Sequence, residues 1–433
     1  MVKTIPVEEK LRLLHNSGLS EKVDSANAEA LLRLQAAEAH WIGMERVLDA
    51  VPGMKPNMIL HAGPPIAFKD MLPVMQNGII GGVLHERLAK TPEEAKGMIL
   101  EGEIEYKSAN DLFCVGPGVG ITTPSMVTNV CVDVKTGLKG YTIPFEGRVG
   151  LGCWGVYNRE VDDYLRVLEQ EFALAVDRVL KMSGGINVSE ILAQGMEMGD
   201  ESHTRQTACG LILVSRIVPM LQDSDLDRKT IRLATNILIN TARWFHPLGM
   251  AASMCGIRAV KGMPYCTIAT TICQNGCQTG LKIADSGETW FLAPSPRFVG
   301  TCLSSRFTMD DAAPYLGDST MTEVMGMGGF AAAAAPTVLK LRNGGWREAK
   351  AQSEEMRRIC VGQNINYHIP LLDFTGSGLG IDMCRVLESG ITPFCHGGII
   401  MRDGGQIGAG GARFPIANYE AALDAFLIKY GVL

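Results

Sequence analysis

The stretch Asn187-Val188-Ser189-Glu190-Ile191-Leu192-Ala193-Gln194-Gly195-Met196-Glu197-Met198-Gly199-Asp200-Glu201-Ser202-His203-Thr204-Arg205 decides the architecture expected of this chain. Asn187 is of the type that caps a helix, Val188 to Met198 carries the helical run, and Gly199 stands where a helix ends. A further helix is expected from Ser202 to Leu221. Outward from this point, Asp162 to Met182 reads as a long amphipathic helix and Leu226 to Phe245 as another. The chain is therefore helix after helix from Asn158 to about Cys255.

On both sides the pattern changes to short apolar runs separated by glycine loops. Met58-Ile59-Leu60 precedes His61-Ala62-Gly63-Pro64-Pro65, Leu112-Phe113-Cys114-Val115 precedes Gly116-Pro117-Gly118, and Val127 to Val134 reads as a strand. Past Gly262 the glycine clusters return at 326–329, 376–380 and 404–411. Residues 1–52 read as two helices, the second from Asn27 to Leu48, stopped by Val51-Pro52-Gly53. The expectation is an α+β protein: two mixed α/β, glycine-rich domains, 1–157 with its leading helices and 258–433, flanking or packed on a central helical domain, 158–257.

Bulk composition narrows the function. At 433 residues the chain is long enough for more than one core. Hydrophobic residues make up 46% and charged residues 20%, a globular balance. A net charge of −6 argues against a nucleic-acid partner and against an anionic membrane surface. None of the twelve cysteines forms a Cys-x-x-Cys pair, so no structural metal and no disulfide framework is expected. The opening residues lead into a charged helical segment rather than an apolar run, and a cytoplasmic protein with reduced cysteines is the expectation.

The polar residues that could carry chemistry cluster at the glycine loops. Asp200, Glu201, His203 and Arg205 lie between two helices, where a helix start would offer unpaired N–H groups to an anion. Arg205 could add a bidentate fork and His203 a proton shuttle, with Asp200 or Glu201 setting its tautomer. The ordinary structural reading is that Asp200 or Ser202 caps the helix. His61 with Gly63, and the loop of Gly116, Gly118 and Thr122, could hold a ligand against backbone. The loop matches neither a Walker A nor a dinucleotide fingerprint, and no cofactor is expected. Asp318 has no evident local role beyond an N-cap, whereas Thr320 and Glu323 have capping-box spacing. Asn240, His246 and Asn275 sit at element ends. Cys395-His396 could suggest an activated thiol, but adjacent residues rarely face one another.

In order along the chain stand His61-Ala-Gly-Pro-Pro, Val115-Gly-Pro, Met198-Gly-Asp-Glu-x-His203-x-Arg205, Asn275-Gly276, Trp290-Phe-x-Ala-Pro294, Gly317-Asp-Ser319, Thr322-Glu-x-x-Gly-x-Gly-Gly-Phe-Ala331 and Gly405-Gln-Ile-Gly-Ala-Gly410. The ordered set, from about residue 50 to the C-terminus, resembles the YlbE/AllG family. That resemblance implies a subunit of oxamate carbamoyltransferase, which converts oxalurate and phosphate to oxamate and carbamoyl phosphate in allantoin-type purine catabolism. It also implies FdrA-like and YlbF-like partner subunits, with self-association expected as well. Two stretches depart from the family pattern: His203-Thr204-Arg205-Gln206 replaces His-Asn-Arg-Asn, and Cys273-Gln274-Asn275-Gly276 replaces Ala-Arg-Asn-Gly.

The resulting expectation is phosphate-dependent cleavage of a ureido substrate. His61, His203, Asp200, Glu201 and Asp318 are the catalytic candidates. Arg205, Gly63, Gly116, Gly118, Thr122, Asn240, His246, Asn275, Glu323 and Gln406 are the candidates for binding substrate or phosphate. Two other readings stand beside it: a non-catalytic scaffold subunit, and an acyl-CoA or acyl-phosphate ligase-type enzyme.

Overall fold

The computed structural model describes residues 5–147, 149–240 and 244–433. Two helices lead, α1 (Val7–Asn16) and α2 (Ser20–Ala36). The second stops at Ala36, and the segment that the sequence assigns to its continuation is instead a strand, β1 (Ala39–Arg46). β1 is paired on both edges, antiparallel to β4 (Val127–Asp133) with Trp41 opposite Cys131, and to the short β6 (Ile186–Asn187). Burial alternates along the first half of β1 but shifts phase at the register irregularity between Trp41 and Gly43, so Trp41, Met44 and Val47 keep a three-residue spacing that imitates a helix. β5 (Lys139–Thr142) completes the four-stranded sheet in the order β5-β4-β1-β6.

Between β1 and β4 lies a small parallel pair, β2 (Met58–His61) and β3 (Glu105–Ser108), joined through α3 (Pro73–His85) and α4 (Pro92–Glu101). The helical region begins with α5 (Arg159–Val167), which passes through a π-helical turn at Leu168–Phe172 into α6 (Ala173–Ser183). α7 (Val188–Glu197) is capped by the Asn187 side chain. α8 runs from Thr207 to Gln222, five residues later than the sequence places its start. The reason is local: Ser202 adopts a left-handed backbone, and two carboxylates fold residues 199–206 around themselves. α9 (Arg228–Asn240) ends before Phe245, which opens a separate helix, α10 (Phe245–Arg258).

The C-terminal part contains two more antiparallel sheets. One has the order β11-β7-β8-β9, from Leu316–Gly317, Ala269–Asn275, Gln278–Ile283 and Phe291–Pro294. The other has the order β10-β15-β14, from Val299–Cys302, Gln406–Arg413 and Phe394–Ile400. A two-stranded ladder, β12 (Cys360–Gln363) with β13 (Gly378–Ile381), stands apart. The alanine run after Gly326 is a kinked 3₁₀ turn over Gly328–Ala334. Leu112–Val115, an apolar run in the sequence, forms a 3₁₀ end and a loop rather than a strand.

This is an α+β fold with two large hydrophobic clusters. One joins α1 and α2 to the helical region and the C-terminal sheets, through Leu34, Trp41, Phe172, Trp244, Phe330 and Tyr419. The other is built from residues 47–165 and takes in Leu316 and Ile400 from the C-terminal part. Asn27 ties the leading helices to distant strands by donating to Thr267 Oγ1 at 2.9 Å. Among the described residues no helix is long and apolar enough to cross a membrane. Among the described residues no disulfide forms, and ten of the twelve cysteines are buried.

The His61–Pro65 loop passes so close to β7 that a Cβ on Gly63 would lie 2.4 Å from Asn275 N, and Gly63 is left-handed besides. Gly63→Ala should therefore cost about 2–4 kcal/mol. Gly18→Ala, also left-handed but with open space around it, should cost about 1 kcal/mol. Urea unfolding of the two variants checks the contrast, and equal losses would contradict it.

Candidate active site

Three fully buried carboxylates organise the centre of the molecule. Asp318 accepts from Gly63 N at 2.6 Å through Oδ1 and from Gly116 N at 3.0 Å through Oδ2, while its own N–H donates to Gly116 O at 3.0 Å. One side chain thus pins both glycine loops that the sequence singled out. Burial pushes its carboxyl up to about 7, outweighing the two N–H donors that favour the anion. Asp318 does not cap a helix.

Glu323 lies in the short turn Met321–Val324 and does not make the expected capping box. Its carboxylate accepts from His203 Nδ1 (2.8 and 2.9 Å), Gly329 N (3.2 Å) and His396 N (2.9 Å), with the Thr322 hydroxyl at 2.9 Å. Glu201 accepts from the backbone N–H groups of Thr204 (2.5 Å), Arg205 (2.7 Å) and His203 (3.1 Å), and stands 3.4 Å from His396 Nδ1. Burial raises the Glu201 carboxyl, but the His396 contact and the nearby imidazoles outweigh it and hold it below the usual range. These donors come from positions up to 195 residues apart, so a network of this kind leaves no trace in sequence spacing.

A carboxylate can only accept, so Glu323 fixes the proton of neutral His203 on Nδ1 and makes Nε2 its basic nitrogen. The His203 ring stacks on His246 with centroids 5.1 Å apart. Both rings line a small cavity of about 40 Å³ together with Gly118, Trp154, Thr204, Gln206 and Ser319. Gly118 gives its backbone to the wall, because a Cβ there would lie 2.0 Å from Cys153 O.

The structure therefore brings His203, Glu323, His246 and Gly118 together, backed by Glu201, with Asp318 and Gly116 beneath the loop. It separates the others. Arg205 does not lie in the first turn of a helix: it is 44% exposed, donates to Gly199 O at 3.1 Å and stands 3.5 Å from Asp200. Asp200 caps α8 by accepting from Cys209 N at 2.8 Å. His61 is buried against Tyr106 with Nδ1 2.9 Å from Ala62 O, and burial lowers its pKa. Asn275 closes its own hairpin by accepting from Cys277 N and Gln278 N. Thr122 pairs with Leu60 across the strand end. Asn240 is exposed at the end of α9, and Gln406 lies on β15 beside Gly398.

The Cys395–His396 pairing does not form, since His396 faces Glu201 and Gln352 and burial drives the Cys395 thiol well up. Gln206 was not among the sequence candidates, and His396 was weighed only as a partner for Cys395, not as a neighbour of Glu201. Gln206 could have been found from its place one residue past Arg205, whereas His396 could not.

Small sheets and helices around a cavity with His203 in its wall and Glu323 hydrogen-bonded behind it define an α+β protein. The chain belongs to the AllG family: it is 33% identical to the oxamate carbamoyltransferase subunit AllG of Escherichia coli K12 over 95% of this chain and 99% of that protein. Residues 104–319 match the family described as oxamate carbamoyltransferase subunit AllG. An uncharacterised protein of the same organism, YahG, is 32% identical over 98% of this chain and 90% of its own length. A crystal structure of a conserved protein of unknown function from Enterococcus faecalis V583 superimposes with a TM-score of 0.92 at 31% identity, covering 95% of this chain and 99% of that one.

Because Asp318 is raised from 3.8 to about 7 in the folded protein, the folded state holds a proton that the unfolded chain has released between those values. Its contribution to stability is then greatest near pH 4 and is lost as pH rises towards 7. The stability advantage of the native protein over Asp318→Asn should shrink across that window in denaturant titrations, and a difference independent of pH would contradict the assignment.

Proposed function

We propose that this chain is the subunit of a carbamoyltransferase complex that binds the ureido substrate. The observation that carries the reading is His203 in the cavity wall, held from behind by Glu323, within a chain of the AllG family. The reaction is phosphate-dependent cleavage of an oxalurate-like compound to an amide and carbamoyl phosphate, carried out with FdrA-like and YlbF-like subunits.

The chemistry needs a group that moves one proton. A phosphate oxygen attacks the carbamoyl carbon, the bond from that carbon to the bridging nitrogen that bears the acyl group breaks, and the departing nitrogen takes up the proton that hydrogen phosphate has lost, so that it leaves as the –NH₂ of the amide. His203 Nε2 accepts that proton and returns it, and Glu323 holds the ring in the tautomer that allows this and stabilises the imidazolium in between. The Gly116–Gly120 loop, held by Asp318, orients the carbonyl. No covalent intermediate is required, in keeping with thiols that burial keeps protonated.

The test is phosphate- or arsenate-dependent release of carbamoyl from oxalurate by the chain assembled with its partner subunits. His203→Gln should lower kcat by about 10²–10⁴-fold, the usual worth of a positioned acid–base group. Glu323→Gln should lower it less, with a changed pH profile. Full activity in both variants, in an intact complex, would place the chemistry in another subunit and leave this chain a scaffold.

A further inference from the structure

Two of the side chains that line the cavity carry polar atoms without a hydrogen-bond partner, Gln206 Oε1 and Thr204 Oγ1. Gln206 is only 3% exposed. The direction of its amide follows from its neighbour: the end that faces the backbone carbonyl of His203 must be the NH₂, because the reverse would set oxygen against oxygen. Oε1 is then an acceptor shut away from water with no donor to satisfy it. A native structure rarely keeps such a group except where something else supplies the bond.

Its surroundings are rigid. Thr204 N and Arg205 N are both held by Glu201 Oε1, so the segment that carries the two orphans cannot easily turn them elsewhere. The missing partner is an N–H or O–H donor, and the local charge narrows it further. Glu201 and Glu323 are both spent on internal donors, and Asp200 stands 3.5 Å from the Arg205 guanidinium, which already supplies it with a positive charge, so these carboxylates offer little to neutralise an ammonium group. A neutral –NH₂ with two N–H bonds matches one amide oxygen and one hydroxyl.

We infer that Gln206 Oε1 and Thr204 Oγ1 form the acceptor site for the unsubstituted –NH₂ of a carbamoyl or carboxamide group, beside His203. The inference rests on the carbamoyl-transfer reading of the same cavity and adds the feature of the substrate that the cavity selects: a primary amide nitrogen, with N-alkylated analogues refused.

The experiment uses the assembled complex and two probes, oxamate and N,N-dimethyloxamate, titrated by calorimetry against the native protein, Gln206→Met and Thr204→Val. The native complex should prefer oxamate at least about tenfold, since the dimethyl compound brings no N–H and leaves the acceptors unpaired. Gln206→Met should erase most of that preference and Thr204→Val, nearly isosteric and on a less buried side chain, part of it. Equal binding of the two probes, no binding of oxamate, or an undiminished preference in a folded variant would each overturn the inference. Carbamoyl release from oxalurate is followed in parallel and separates the two claims. No release with the preference intact would sink the transferase reading alone, whereas release without the preference would sink the amide site alone.

Discussion

A carboxyl group in a protein interior has to be surrounded by hydrogen-bond partners, and three of them set the terms of this fold. Asp318, Glu201 and Glu323 are completely buried, and between them they collect backbone N–H groups from Gly63, Gly116, His203, Thr204, Arg205, Gly329 and His396. Removing one member of such a network strands a buried charge or donor, at a cost of roughly 3–5 kcal/mol for a charge pair. The glycine loops follow from this demand. Backbone must come to the carboxylate, and a bare backbone comes closest.

The same constraint joins the regions of the chain. The Asp318 carboxyl links the β2 loop and the Gly116–Gly120 loop to the strand that precedes it, while Glu201 and Glu323 link the start of the α8 segment to β14 and to the turn before the alanine run. The cavity is what remains where these loops meet. Its wall is polar on one side, with the stacked His203 and His246, and apolar on the other, with Phe145 and Trp154.

Much of this was legible in the sequence. The helices of the central region, the strands at Met58 and Val127 and the list of polar loops are all there, because each depends on neighbours in the chain. β1 was not legible, since the irregularity between Trp41 and Gly43 breaks its two-residue period and leaves Trp41, Met44 and Val47 at a helix-like spacing. The delayed start of α8 was hidden because Asp200 reaches forward to Cys209 N and Glu201 gathers the N–H groups of His203, Thr204 and Arg205, so the segment between them folds as a loop before the helix begins. Arg205 and His61, the most conspicuous charged and aromatic residues of their motifs, point to structural tasks. Glu323, whose spacing suggested a cap, and Gln206, which suggested nothing, line or support the cavity. Chemistry made by contacts across 100 residues or more is visible only after folding.

The most direct test of the account is the crystal structure of the assembled complex with oxamate and phosphate bound. The account predicts oxamate in the cavity of His203 and His246, with a substrate polar atom within hydrogen-bond reach of His203 Nε2 and Glu323 still on Nδ1. Oxamate bound elsewhere, with this cavity vacant and His203 untouched, would contradict it.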